Sequence, residues 1–159
     1  EAVKKFQRKN NLSVDGIAGQ KTLAALGITS GGNSSNKNQT TSNNTDLNLL
    51  SKLVHAEARG EPYKGMVAVA ATVLNRVANS KFPNTIAGVI YQSGAYTCVS
   101  DGQINLAANE QSRKAAQDAI NGWDPTSGCI YYFNPNTATS GWIWSRPQVM
   151  TIGSHIFCK

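Results

Sequence analysis

Charge is scarce in this chain of 159 residues: Asp, Glu, Lys and Arg make up only 15% of it. Histidine and methionine occur twice each and cysteine three times. Cys98, Cys129 and Cys158 are far apart and form no CxxC pair, which argues against a structural zinc site. An odd count allows one internal disulfide at most, and the spacing leaves the redox compartment open. No apolar run approaches the roughly 20 residues of a membrane-spanning helix. The stretch from Gly65 to Val77, GMVAVAATVLNRV, reads instead as a helix buried in a core. There is no G-x-G-x-x-G, P-loop, H-E-x-x-H or G-x-S-x-G, which lowers the case for nucleotide, zinc-protease and α/β-hydrolase chemistry. No metal and no cofactor are expected. The sequence opens at Glu1 inside a helical pattern, without a leader or an initiator Met, so we read it as processed or trimmed.

What remains is enough to fold. Hydrophobic residues are 40% of the chain, sufficient for a packed core. The formal charge of +6 suits an acidic partner such as nucleic acid, anionic lipid or an anionic cell-wall polymer. Composition marks one boundary. Residues 29–45, TSGGNSSNKNQTTSNNT, contain no large apolar side chain and cannot offset their own ordering entropy. They are expected to be a flexible linker, spanning roughly 20–25 Å as a coil. A linker implies two modules: one holds the substrate and the other acts on it.

The N-terminal module is residues 1–28. Val3 and Phe6 stand at helical spacing among Lys4, Lys5, Arg8 and Lys9, Asp15-Gly16 signals a turn, and a second short helix runs from about Gln20 to Leu26. No aromatic platform accompanies the basic residues, so nucleic acid is not favoured. AVKKFQRKNNLSVDGIAGQKTLAAL resembles the second half of the peptidoglycan-binding repeat appended to cell-wall hydrolases. The FQ pair, the DG turn and the G-x-x-T-x-x-A-L ending carry the likeness. The first half of the repeat is absent, and 28 residues fall below the roughly 40 usually needed to fold alone.

Residues 46–159 form the main domain. Thr45 or Asp46 caps a helix, LNLLSKLVHAEAR, that stops at Gly60. The buried helix over 65–77 follows, then one opened by Pro83-Asn84-Thr85 that runs to about Gln92. Tyr96 to Val99 and Gln103 to Asn105, around Asp101-Gly102, predict a β-hairpin. Glu110 to Asn121 predicts a helix closed by Gly122. Cys129 to Phe133, Val149 to Ile152 and His155 to Cys158 read as strands, the last two joined by a turn at Gly153-Ser154. Helices first and short antiparallel strands after them give an α+β class.

One carboxylate stands where an apolar residue belongs. Leu50, Leu53 and Val54 form the stripe of the first helix, and Glu57 is its next member. Desolvation and the negative end of the helix dipole would both raise its pKa. Such a group can hold a proton and give it to a leaving oxygen, as glycosidic cleavage requires. A buried Glu neutralised by Arg59 or Arg76 is the equal alternative from position alone.

HAEARGEP, GMVAVAATVLNRV, KFPNTIAGVIYQ, CIYYFNP and IGSHIFC, in this order, are similar to the spore-cortex-lytic family of cell-wall hydrolases, the SleB/CwlJ type. The likeness covers essentially all of 46–159. It implies a lysozyme-like fold of the lytic transglycosylase kind, an exported protein of the spore envelope or cortex, and cleavage of cortex peptidoglycan glycan strands at germination. It also implies that the catalytic acid is Glu57. The restraining partner in the dormant spore is not readable.

A second carboxylate is harder to find. Gly60 breaks the helix before Glu61, which reads as a loop residue bracing Arg59 or Lys64, and Asp101 has a turn to make. With one acid, the muramyl 6-hydroxyl is the remaining nucleophile, and the product is a 1,6-anhydro end. Glu61, Asn75, Arg76, Tyr96, Thr97, Tyr132 and Trp142 are the candidate substrate-binding residues. Tyr131, Trp144, Asn134, Asn136 and Gln148 are further sugar contacts to consider, although only one of Tyr131 and Tyr132 can face the cleft. His155 reads as structural. Two rivals are an amidase or peptidase using Cys98 and His155, and a glycan-binding protein without catalysis.

Overall fold

The computed structural model describes Ala2, Lys5, Lys9 and residues 37–159. From Lys37 onward the described residues form six α-helices: α1 Lys37–Ala58, α2 Tyr63–Val77, α3 Ile86–Ile90, α4 Thr97–Ser100, α5 Glu110–Ile120 and α6 Gly141–Trp144. A 3₁₀ turn, Gln103–Asn105, lies between α4 and α5. The strands are β1 Tyr131–Phe133, β2 Gln148–Ile152 and β3 His155–Cys158, in the antiparallel order β1-β3-β2. This is the α+β class expected from the sequence.

Helix α2 is the axis of the core. Every residue from Gly65 to Val77 is buried, because α1 and α5 pack along it and α3 and the sheet close the rest. Its hydroxyl is satisfied on its own helix: Thr72 Oγ1 donates to Val69 O at 2.6 Å. Ser51 Oγ does the same on α1, donating to Leu47 O. The α1 stripe of Leu50, Leu53 and Val54 is fully buried, each side chain contributing about 1.5–3 kcal/mol as an upper bound. Asn109 caps α5 by accepting from Ser112 N, and Thr85 caps α3 by accepting from Gly88 N.

The sheet register sets what faces the helices. Tyr132 lies opposite Phe157, and Ile152 opposite His155. Two residues apart on β3, His155 and Phe157 share a face, and both rings contact Tyr132. A bulge between Gln148 and Met150 bends β2.

Two expectations are corrected. The hairpin at 96–105 is instead helix α4, a turn at Asp101-Gly102 and the 3₁₀ turn. Asp101 Oδ1 accepts from Gln103 N and Gly102 adopts φ +86°, so the Asp-Gly pair joins two helical turns and leaves no ladder to form. Helix α1 begins at Lys37, inside the segment read as linker coil. The apolar turns from Leu47 onward supply the nucleus, so further turns toward the N-terminus are added without the cost of initiation. The expected linker portion 29–36, the second short helix at 20–26 and the place of Phe6 lie outside the described residues. Of the N-terminal residues that are described, Ala2 is buried, Lys5 Nζ donates to Gly128 O and Lys9 Nζ donates to Val77 O. These residues therefore rest against the main domain.

Candidate active site

Glu57 is the penultimate residue of α1. Gly60, at φ +88°, turns the chain, and Glu61 N returns to Ala58 O at 3.0 Å. That closure leaves the Glu57 side chain half-buried beside the sheet. Tyr132 on β1 meets it there: its hydroxyl donates to Glu57 Oε2 at 2.7 Å. Burial and the Glu57 charge push the Tyr132 phenol well above its ordinary value, so it remains a donor. Cys98, on α4, also hydrogen-bonds Glu57, and its thiol is pushed up to about 12 by burial and then by Glu57. Neither arginine considered as a neutralising partner takes that role. Arg59 donates to Gln103 Oε1, and Arg76 donates to Ile130 O and the Tyr96 hydroxyl.

His155 lies in the field of both Glu57 and Glu61. Burial lowers its pKa more than the two carboxylates raise it. Its Nδ1 is buried without a hydrogen-bond partner. Glu61 Oε2 accepts from Ser154 N at 3.0 Å. Desolvation works to raise the Glu61 carboxyl, but the Ser154 hydrogen bonds and His155 hold it below its ordinary value. Gly153, at φ +57°, makes this clasp possible, since a Cβ there would collide with the Glu61 carboxylate and Pro62.

The remaining candidates divide. Tyr96 is 7% exposed, joined to Arg76, and raised to about 12 chiefly by burial. Arg76 is buried and its guanidinium lies 5.2–5.4 Å from the rings of Phe82, Tyr96 and Tyr131. Asn75 is corrected: it is fully buried, donates to Asp124 Oδ2 and Cys129 O, and offers no surface to a ligand. It fastens the 124–129 loop to α2. Thr97 is exposed at the start of α4, one residue from Cys98. Trp142 is exposed and meets the edge of Tyr131 at 5.0 Å, with Arg146 over both rings. Tyr131 and Tyr132 point to opposite faces of β1, so this aromatic group stands apart from the Glu57–Tyr132 contact. The reading missed Cys98 as a neighbour of Glu57, and His155 as a group between two carboxylates. The alternation of His155 and Phe157 was the available signal for the latter.

The rival nucleophile loses its chemistry in this setting. A thiol raised to about 12 supplies almost no thiolate at neutral pH, and the charged groups acting on it, Glu57 and Asp101, are anions. All three cysteines are free and buried. Among the described residues no group of His, Cys, Asp and Glu could hold a metal ion, and no helix is long and apolar enough to cross a membrane.

Residues 60–158 match the family model described as Cell Wall Hydrolase. This chain belongs to the cell wall hydrolase family. Residues 1–26 match a second model, Putative peptidoglycan binding domain. A spore cortex-lytic enzyme of Bacillus cereus is 46% identical over 99% of this chain and 71% of its own length. That of Bacillus subtilis is 58% identical over 73% of this chain and 38% of its own. Two solved structures have the same fold. The catalytic domain of the Bacillus cereus SleB protein aligns with a TM-score of 0.70 at 53% identity, covering 84% of this chain and 96% of that one. The catalytic domain of SleB from Bacillus anthracis, described as a germination-specific lytic transglycosylase, gives 0.70 at 54% identity, covering 81% of this chain and all of that one. The lysozyme-like α+β expectation holds with them.

Proposed function

We propose that this cell wall hydrolase is a lytic transglycosylase, cleaving the glycan strands of spore cortex peptidoglycan during germination with Glu57 as its single acid and base. The observation that carries this reading is the state of the other carboxylates. Besides Glu57, the described residues hold Asp46, Glu61, Asp101, Glu110, Asp118 and Asp124. Glu61 is clasped by Ser154, Asp101 by Gln103, Asp118 by Tyr63, and Asp124 by Asn75, Thr126 and Gly128. Asp46 lies about 16 Å up the same helix from Glu57, at 1.5 Å per residue. Glu110 begins α5 and is exposed.

Glu57 then works alone. It protonates the glycosidic oxygen as the bond breaks. As a carboxylate, steadied by Tyr132, it accepts the proton of the muramyl 6-hydroxyl, which closes on the anomeric carbon. The internal hydroxyl replaces water at high effective concentration, so no second carboxylate is required. Action on the cortex places the protein in the spore envelope, and the repeat-like segment at 1–26 suits it to peptidoglycan. We divide the chain accordingly into a partial repeat at 1–28 and a catalytic domain at 46–159, joined by a segment whose residues from Lys37 onward belong to α1.

Glu57→Gln tests the assignment. The protein folds as before and turnover on purified cortex falls at least about 100-fold. Near-normal turnover in the folded variant removes Glu57 from the mechanism.

A further inference from the structure

A cavity, wide open to solvent, lies between the start of α2 and the start of α5. It has a volume of about 500 Å³ and is lined by Tyr63, Asn109, Glu110, Gln111 and Lys114. That volume falls within the roughly 300–1,000 Å³ of small-molecule sites. Tyr63 begins α2, and the others belong to the first turns of α5 and its cap.

The cavity has a fixed aromatic wall. Tyr63 donates its hydroxyl to Asp118 Oδ2, which sets the ring plane. Trp123 lies 6.1 Å from that ring, centroid to centroid, and is 43% exposed. Lys114 Nζ stands over the same ring, 5.9 Å from the Tyr63 centroid. Lys114, Glu110 and Gln111 are otherwise uncommitted, exposed side chains of α5. They offer donors, acceptors and an amide that is both, with charges of opposite sign. Asn109 adds the free half of its amide, since its carbonyl already accepts from Ser112 N.

We propose that this cavity is a second saccharide subsite, taking an uncharged N-acetylhexosamine unit of a glycan strand. An aromatic face covers the apolar side of a pyranose ring. Hydroxyls both donate and accept, so they match a rim in which Lys114 and Asn109 donate, Glu110 accepts, and Gln111 does both. The near-balance of charge on the rim favours a neutral ring over an anion. The site holds strand that is not being cut, and keeps the enzyme on an insoluble polymer between cleavages. The proposal rests on glycan being the substrate.

The test uses the full chain carrying Glu57→Gln, so that ligand is not consumed, titrated with the N-acetylglucosamine tetramer and followed by amide chemical shifts. The result reads where the ligand binds, not whether bonds break, and so is separate from the fate of the Glu57 assignment. The expected result is perturbation at Tyr63, residues 109–114 and Trp123. Adding Gln111→Ala and Lys114→Ala, which remove only exposed side chains, weakens that binding at least about tenfold with the melting temperature unchanged. Perturbation confined to the surroundings of Glu57 and Tyr132 or to residues 1–26, no binding, or equal affinity in the double variant overturns the proposal.

Discussion

The Tyr132 hydroxyl donates to Glu57 Oε2 at 2.7 Å, joining the last turn of α1 to the first strand of the sheet. The two residues are 75 positions apart in sequence, so the contact exists only once β1 has paired with β3. It fixes one oxygen of a carboxylate that Cys98 also hydrogen-bonds.

Tyr132→Phe removes that donor and keeps the ring that packs on His155 and Phe157. Hydrogen bonds to charged groups are worth roughly 1.5–3 kcal/mol, so kcat falls about 10- to 100-fold while circular dichroism stays the same. A folded Tyr132→Phe enzyme with unchanged kcat shows that the contact does not serve the reaction.

Cys98 sits beside the same carboxylate, and two roles make opposite predictions for it. As a nucleophile its removal ends activity. As a protonated neighbour, it is replaceable by another small donor. Cys98→Ser therefore keeps glycan cleavage within about tenfold of the parent, while a bulky or apolar residue there costs more. Native Cys98 also resists alkylation at pH 8 and reacts after unfolding, as its raised thiol pKa requires.

Stability should fall on the acid side for a traceable reason. His155 has a folded pKa below its ordinary 6.5, and Glu61 one below its ordinary 4.5. In both cases the unfolded chain binds the proton more readily than the folded one. The stability each contributes is present above the ordinary value and is lost as pH falls through the folded value. Melting temperature thus declines from about pH 6.5 downward as His155 is drawn to charge, and again below about pH 4.5 as Glu61 is. His155→Gln flattens the upper part of this decline. A melting temperature that rises between pH 7 and pH 5 in the parent contradicts the assignment.

Periodicity made the helical frame legible. Leu50, Leu53 and Val54 placed Glu57 on the inward side of α1, and the run from Gly65 to Val77 is the buried axis. Thr85 and the glycines at 60, 122 and 153 gave helix and turn ends close to where they occur. Cys98 misled, because Tyr96 and Cys98 are buried at strand spacing while the backbone between them is turning into a helix. Asn75 looked free because the 124–129 loop that takes its amide arrives from about fifty residues away. The contacts of Tyr132, His155 and Glu61 depend on sheet register and on the Gly153 turn, both set by tertiary pairing. Local pattern carries no record of either.

The end group of the released glycan tests the single-acid account most directly. Purified cortex is digested in isotopically heavy water, and the fragments are weighed. Closure by the 6-hydroxyl leaves 1,6-anhydromuramic ends, each lighter than a hydrolysed end by one water and free of label at the cleaved anomeric carbon. Labelled reducing ends as the main product would contradict it, and would make Glu61 or Asp101 the missing base.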